Sequence, residues 1–315
     1  MLTPTIPALL RQRLDSGSRR GERTDSYHLA LVIEGGGMRG IVGISMAAEL
    51  QRAGFRDAFD SIHGSSAGAC AAAYFAAHQS EEGVRIYLED INNRRFIDAW
   101  RFLGGRAVLD KSFLVDHVMQ KVTPLDASKI LVEPGLLNVV VTDARTAEPI
   151  FYDRYQNAEH LFTVLKGTIC LPLIAGHSVS LDGRQVFDGG MTQQIAIDSA
   201  LRQGATHVLV LVTRKEGEME RPMKGALRQP DLIALGAVYG GAVYRAYSAR
   251  NAGINNMLKR IRDPIVNGIH FSIVARKHDD TEVDRLTIDA GLLERADVES
   301  RQAMQRYLSL TKTDA

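Results

Sequence analysis

Three short groups of residues, far apart in the chain, carry the side chains and backbone that acyl transfer needs. Gly35-Gly36-Gly37-Met38-Arg39-Gly40 offers a row of unhindered backbone amides. Gly64-Ser65-Ser66-Ala67-Gly68 sets a serine between small residues, and Asp188-Gly189-Gly190 supplies a carboxylate followed by a flexible turn. A serine hydroxyl becomes a useful nucleophile only beside a base, and its tetrahedral adduct needs hydrogen-bond donors aimed at the oxyanion. The three groups correspond to those three roles.

The surrounding sequence says which elements position them. His28-Leu29-Ala30-Leu31-Val32-Ile33 reads as a buried strand, and Ile41, Ile44, Ala48 and Leu50 have helical spacing up to Gly54, a C-terminal cap. The glycines therefore occupy a strand-to-helix turn, where unpaired N–H groups and the helix dipole attract negative charge. Gly35, Gly37 and Gly40 also match the dinucleotide fingerprint G-x-G-x-x-G, with Asp57 and Asp60 at the distance of its acidic partner. Taken alone, the loop is open to an oxyanion hole, a pyrophosphate site or a structural turn. The second group is more specific. Phe59 to His63 reads as a strand and Ala67 to Ala77 as an alanine-rich helix, so Ser66 stands at their junction, two residues from Gly64 and from Gly68. That is a nucleophile elbow, with the Ala67 amide a further oxyanion donor. Ser65 is the competing serine, off-centre between the glycines.

For the base, His207, His270 and His278 follow Asp188 in the order of a Ser-Asp-His triad, but none stands in a catalytic context. His207 opens the apolar run Val208 to Val212 and reads as a strand-end residue, and His63 and His177 are lone histidines near the motifs. Asp188 ends the strand-like Val186-Phe187, and Gly189-Gly190 let the backbone turn close to another element. A buried carboxylate beside a serine can take its proton directly. The competing reading is a turn aspartate, as Asp182-Gly183 supplies for a hairpin between Val179–Leu181 and Gln185–Phe187.

The three motifs, in this order, together with Leu165 to Pro172 ahead of the aspartate hairpin, resemble the patatin-like phospholipase family over roughly residues 28 to 213. The resemblance implies an α/β, three-layer fold with a mostly parallel central sheet flanked by helices. It implies a Ser–Asp dyad without histidine: Ser66 as nucleophile, Asp188 as base, and an oxyanion hole in the Gly35–Gly40 loop around the amides of Gly36, Gly37 and Met38. Arg39 holds the loop's basic position, to steady it or to meet a phosphate. The implied substrate is a lipid or phospholipid ester, cleaved through an acyl-serine without metal or organic cofactor. Ala196 stands where the family often has proline, and Gly167 and Cys170 where small alanine or serine residues are frequent. These changes bear on substrate fit, since no reacting group is lost.

The composition fits this reading. The 315 residues are 45% hydrophobic and 24% charged, with a formal net charge of +1, which gives no field to attract nucleic acid. Cys70 and Cys170 are too few and too far apart for a metal site. Residues 1–26 are expected to form a polar, irregular arm, 27–214 the catalytic core, and 215–315 a helical and strand extension packed on the same domain. Arg11-Gln12-Arg13-Leu14-Asp15 does not read as a secretory cleavage site, so a cytoplasmic location is expected. Residues 232–262 contain no acidic side chain and mix arginine and lysine with Tyr239, Tyr244 and Tyr247. They read either as a core-packing helix with a basic outer side or as a peripheral membrane contact, and their apolar part is too short to span. Two other function classes remain beside the acyl hydrolase: a catalytically silent lipid-binding relative and a dinucleotide-binding protein.

Overall fold

The computed structural model describes residues 3–172, 174–219 and 240–310. Its nine-stranded sheet consists of β1 (Leu29–Ile33), β2 (Ser61–Ser65), β3 (Leu137–Asp143), β4 (Pro149–Tyr152), β5 (Val179–Leu181), β6 (Arg184–Asp188), β7 (His207–Lys215), β8 (Ile265–Val266) and β9 (Ile269–Arg276). The helices that matter to the site, among those described, are α1 (Ile6–Asp15), α2 (Gly40–Arg52), α3 (Ala67–Ala76), α4 (Ser80–Arg85), α5 (Ala127–Leu131), α6 (Ala158–Thr168), α7 (Ile197–Arg202), α8 (Gly241–Arg260) and α9 (Ala290–Ser309).

The fold is mixed α/β with a central sheet that is mostly parallel and flanked by helices. Strands β3, β2, β1, β7 and β9 run parallel in that spatial order, whereas β4, β5, β6 and β8 join antiparallel near the two ends. Because side chains alternate across a strand, the central residues divide between two cores. Leu29, Leu31, Ile33, Leu209 and Leu211 pack with α2, α3, α6 and α9 on one face. Ala30, Val32, Val208, Val210 and Val212 pack with α7 and with Ile254 and Leu258 of α8 on the other. Strands buried on both faces are near-continuous apolar runs, which is why β1 and β7 were legible without alternation.

One expectation is overturned. The irregular arm expected over residues 1–26 contains α1, with Ile6, Leu9 and Leu10 buried in the main core. The i, i+3, i+4 spacing of these three residues continues to Arg13, which is 1% exposed and pairs with Asp25 (2.7 Å) and Asp60 (2.6 Å). The arginine disguised an amphipathic helix as a polar segment, since its charge is neutralised inside the fold. Arg20 and Arg23, in the same expected arm, hold the backbone carbonyls of Asp60, Pro134, Asp57 and Phe59. At the other end of the chain, α8 lies within the basic 232–262 segment and buries Val243, Ile254 and Leu258. Positions 220–239, including Tyr239, lie outside the described residues.

Candidate active site

The register of β3 brings Ser66 and Asp188 together. Strand β2 pairs with Leu137 to Val140, and β6 pairs antiparallel with Val141 to Asp143. Strand β4 pairs with Val139 to Thr142 and so holds the opposite edge. A strand has only two edges, so β6 takes up the edge that β2 leaves. The two strands point at each other, with Ser65 opposite Val140 and Asp188 opposite Val141. Gly189 then lies flat against the β3 backbone: a Cβ there would stand 2.0 Å from the Val140 carbonyl oxygen and 3.1 Å from Ser65 Cβ. This is the close approach for which Asp188-Gly189-Gly190 needs its glycines.

Ser66 occupies a strained turn. Its φ is 53° and ψ −136°, left-handed for a non-glycine residue and immediately before α3. Such a conformation costs roughly 1–3 kcal/mol and persists only where its surroundings enforce it. The first turn of α3 is pressed onto the sheet: a Cβ on Gly64 would lie 2.4 Å from the Gly68 oxygen, and one on Gly68 would lie 2.3 Å from the Ile33 oxygen. Thr168, at the end of α6, fixes the serine's backbone. Its hydroxyl accepts from the Ser66 amide (2.9 Å) and donates to the Val140 carbonyl (2.5 Å).

The half-buried Ser66 hydroxyl donates to Asp188 Oδ2 at 2.8 Å. The other carboxylate oxygen accepts from the Gly190 amide at 2.7 Å, and the Asp188 backbone is held by the Thr142 hydroxyl and the Cys170 carbonyl. Burial pushes the Asp188 carboxyl up to about 6, against the opposing pull of the Ser66 hydroxyl, the Gly190 amide, Arg250 and Arg285. No described histidine lines this cavity. His63 is locked between Ser61 and Ser199, and burial takes its ring down to about 3. His207 and His270 stack at the start of β7 and β9, at the far end of the sheet from Ser66. Ser65 points elsewhere, its hydroxyl donating to the Gln193 carbonyl at 2.6 Å.

In the glycine loop, backbone pairing sorts the amides. Gly35 N–H donates to Gln194 O (3.0 Å), Met38 N–H to Arg285 O (3.0 Å) and Arg39 N–H to Gly36 O (3.2 Å), and the Gly40 amide closes a turn onto Gly37 O. Among the described residues, the Gly36 and Gly37 amides find no acceptor, nor does Ala67 at the start of α3. Gly37 has φ 60°, and a Cβ there would meet the Arg285 carbonyl at 2.7 Å. The loop rests on buried Glu34, whose carboxylate accepts from Arg214 Nε (3.0 Å), the Thr213 amide (2.8 Å) and the Gln194 side chain (2.9 Å). Burial works to raise the Glu34 carboxyl, but Arg214, with Arg39 adding to it, holds it below its usual range. Arg39 is itself nearly buried.

The family model of the patatin-like phospholipases matches residues 31–201, which hold all three motifs. The chain belongs to the patatin-like phospholipase family. Over 188 residues it is 30% identical to the uncharacterized protein YjjU of Escherichia coli strain K12, a match covering 59% of this chain and 52% of YjjU. The chain thus spans about half the length of that curated relative. The crystal structure of VipD from Legionella pneumophila aligns with a TM-score of 0.41 and 10% identity, covering 90% of this chain and 67% of that one.

In this patatin-like chain, Ser66 and Asp188 open into a cavity of about 270 Å³. Its lining is mostly apolar, with Tyr74, Ile86, Tyr87, Leu114, Met119 and Ile169 among others, and also carries Arg250, Asp284 and Arg285. Cys70 lines it too, but burial pushes its thiol up to about 12, so it stays protonated and unreactive. Reading the sequence missed three supports of this arrangement: Thr168 and Thr142, which hold the backbones of Ser66 and Asp188, and Gln194 beneath the glycine loop. None carries a local signal, since each acts across 46 or more positions of sequence. No cluster of three or more metal-ligating side chains occurs among the described residues, and no described helix is long and apolar enough to cross a membrane.

Proposed function

We propose that the chain is a serine acyl hydrolase acting on lipid esters, phospholipids included, through a Ser66–Asp188 dyad. One observation carries the reading: the strained, half-buried Ser66 hydroxyl donates to a buried carboxylate at 2.8 Å, with no histidine lining the same cavity. At neutral pH Asp188 is ionised, yet burial leaves it a far stronger base than an exposed aspartate. It takes the Ser66 proton as Oγ bonds to the ester carbonyl carbon. The tetrahedral oxyanion is received by the amides of Gly36 and Gly37, with Ala67 a third donor, each typically worth about 3–4 kcal/mol. Collapse breaks the bond to the alcohol oxygen, which leaves with the proton from Asp188. Water then loses a proton to Asp188, adds to the acyl-serine, and frees the acid and Ser66. The mostly apolar lining of the cavity suits an acyl chain. The family supports lipid as the substrate class.

The test is labelling with a fluorophosphonate, located by peptide mass mapping, alongside fatty-acid release from dioctanoyl glycerolipids. Label on Ser66 in the wild type, its absence in Ser66→Ala, and its weakening in Asp188→Asn are expected. A folded wild type that neither labels nor releases acid would leave the silent lipid-binding reading in its place.

A further inference from the structure

Arg250 lines the cavity, and neither the dyad nor the oxyanion loop uses it. It projects from α8 into the same cavity as Ser66 and Asp188. Its Nε is fully buried without a hydrogen-bond acceptor. Its described contact is with an aromatic face: the guanidinium carbon lies 5.0 Å from the centre of the Tyr247 ring. A guanidinium has five N–H donors and cannot shed its proton, so arginine is almost never buried without an anionic or carbonyl partner. Arg13 has Asp25 and Asp60, and Arg276 has Glu299, at ion-pair distance, whereas half-buried Arg250 has no such carboxylate among the described residues. Arg285 lines the same cavity, with Gln194 Oε1 at 3.4 Å from its guanidinium. Asp284, also in the lining, is exposed and accepts from the Arg285 amide.

We infer that Arg250, with Arg285 lining the same cavity, receives a phosphate group next to the ester that Ser66 attacks. This deepens the acyl-hydrolase reading and rests on it, because the phosphate is placed relative to that serine. A planar fork of donors that stacks on an aromatic ring and faces a dyad-bearing cavity is suited to two oxygens of a phosphate. The electrostatics agree: both arginines pull the Asp188 carboxyl down, and a bound phosphate would offset that pull and leave a stronger base. The apolar lining takes the acyl chain and the arginines take the phosphate. The phosphate is either part of the substrate or a separate small anion, and the two sources give different kinetics.

The experiment compares kcat/KM on dioctanoylglycerol and on dioctanoyl phosphatidate, for wild type, Arg250→Gln and Arg250→Lys, with inorganic phosphate added to each. If the phosphate belongs to the substrate, wild type prefers phosphatidate. Arg250→Gln then cuts that preference by roughly tenfold or more, mostly through KM, and Arg250→Lys by less, since lysine keeps the charge without the fork. If it is a separate anion, inorganic phosphate changes the rate on dioctanoylglycerol in wild type but not in Arg250→Gln, and neither enzyme prefers phosphatidate. A wild type indifferent to both the substrate's phosphate and the added phosphate overturns the inference, and it needs no variant to fold. Fluorophosphonate labelling of Arg250→Gln reports whether its pocket is intact. Should wild type fail to label or turn over, the hydrolase reading falls. The phosphate site is then judged by the thermal shift that inorganic phosphate produces in wild type against Arg250→Gln.

Discussion

Asp188→Asn should abolish turnover and, at the same time, stabilise the fold. The carboxyl rises from 3.8 to about 6 because burial disfavours its charge. Roughly two pKa units correspond to about 3 kcal/mol between the protonated and ionised forms. The sign follows from proton binding. Between the two values the native state holds a proton that the unfolded chain has released, so stability falls as pH rises through that window. Below pH 3.8 both states are protonated and the cost is absent; above about pH 6 both are ionised and the full cost is present. Asparagine keeps the shape and an oxygen for the Gly190 amide, but has no charge to desolvate.

At pH 8, therefore, Asp188→Asn should unfold at a higher denaturant midpoint, gaining up to about 3 kcal/mol, or some 5 °C in Tm for a chain of this length. At pH 4 the gain should shrink to within about 0.5 kcal/mol, since little cost remains there. The measurement is urea unfolding of both proteins across pH 4 to 8, read as a difference so that every other titrating group cancels. A variant no more stable than wild type at pH 8, or one whose advantage is as large at pH 4, would refute burial as the origin of the raised carboxyl. It would also remove the reason to think Asp188 a strong base. Lost activity with gained stability is the trade-off of a site built under strain.

Three further outcomes follow from the same geometry. kcat/KM should rise about tenfold per pH unit in the acid limb and level off above about pH 6, where Asp188 ionises; a midpoint near pH 4 would contradict the assignment. Thr168→Val strands the Ser66 amide and the Val140 carbonyl inside the fold, costing about 1–3 kcal/mol. Because the serine's backbone is loosened, kcat should drop about tenfold with KM little changed, as steady-state kinetics on a soluble ester will report. Gly68→Ala puts a Cβ 2.3 Å from the Ile33 oxygen and should cost more than about 2 kcal/mol by urea unfolding, whereas Gly253→Ala, helical in α8 with nothing within 4 Å, should gain about 1 kcal/mol.

The elements that could be read from sequence are those whose signal is local. β1 and the Asp182-Gly183 hairpin needed only an apolar run and a turn dipeptide, and Asp182 and Gly183 do take positive φ of 49° and 74°. Helix α1 was hidden because Arg13 interrupts its apolar stripe, and the two carboxylates that neutralise it come from Asp25 and Asp60. The hydrogen bond between Ser66 and Asp188 spans 122 positions, and no spacing rule within the chain predicts it. The resemblance supplied that pairing, and the register of β3 supplies its cause. The state of each loop amide was likewise illegible, since Gly35 and Met38 are spoken for by Gln194 and Arg285, far downstream.

That sorting of amides explains why so many charges surround a site that uses so few. Anion-binding turns draw any nearby carboxylate, and Glu34 directly precedes the glycines. Its three acceptor contacts to Arg214, Thr213 and Gln194 keep its carboxylate occupied in the core beneath the loop. Gln194 then also ties down the Gly35 amide and, through its side chain, the Gly35 carbonyl at 3.0 Å. What remains in the cavity lining is the unengaged amides of Gly36, Gly37 and Ala67, with buried Asp188 and exposed Asp284 as its carboxyls. Replacing Glu34 by glutamine would leave the buried Arg214 charge without its counter-ion, a loss typically near 3–5 kcal/mol, and would loosen the floor on which those amides are aimed. The charge pair beneath the loop is therefore a positioning device, distinct from Arg250, whose donors face the cavity itself.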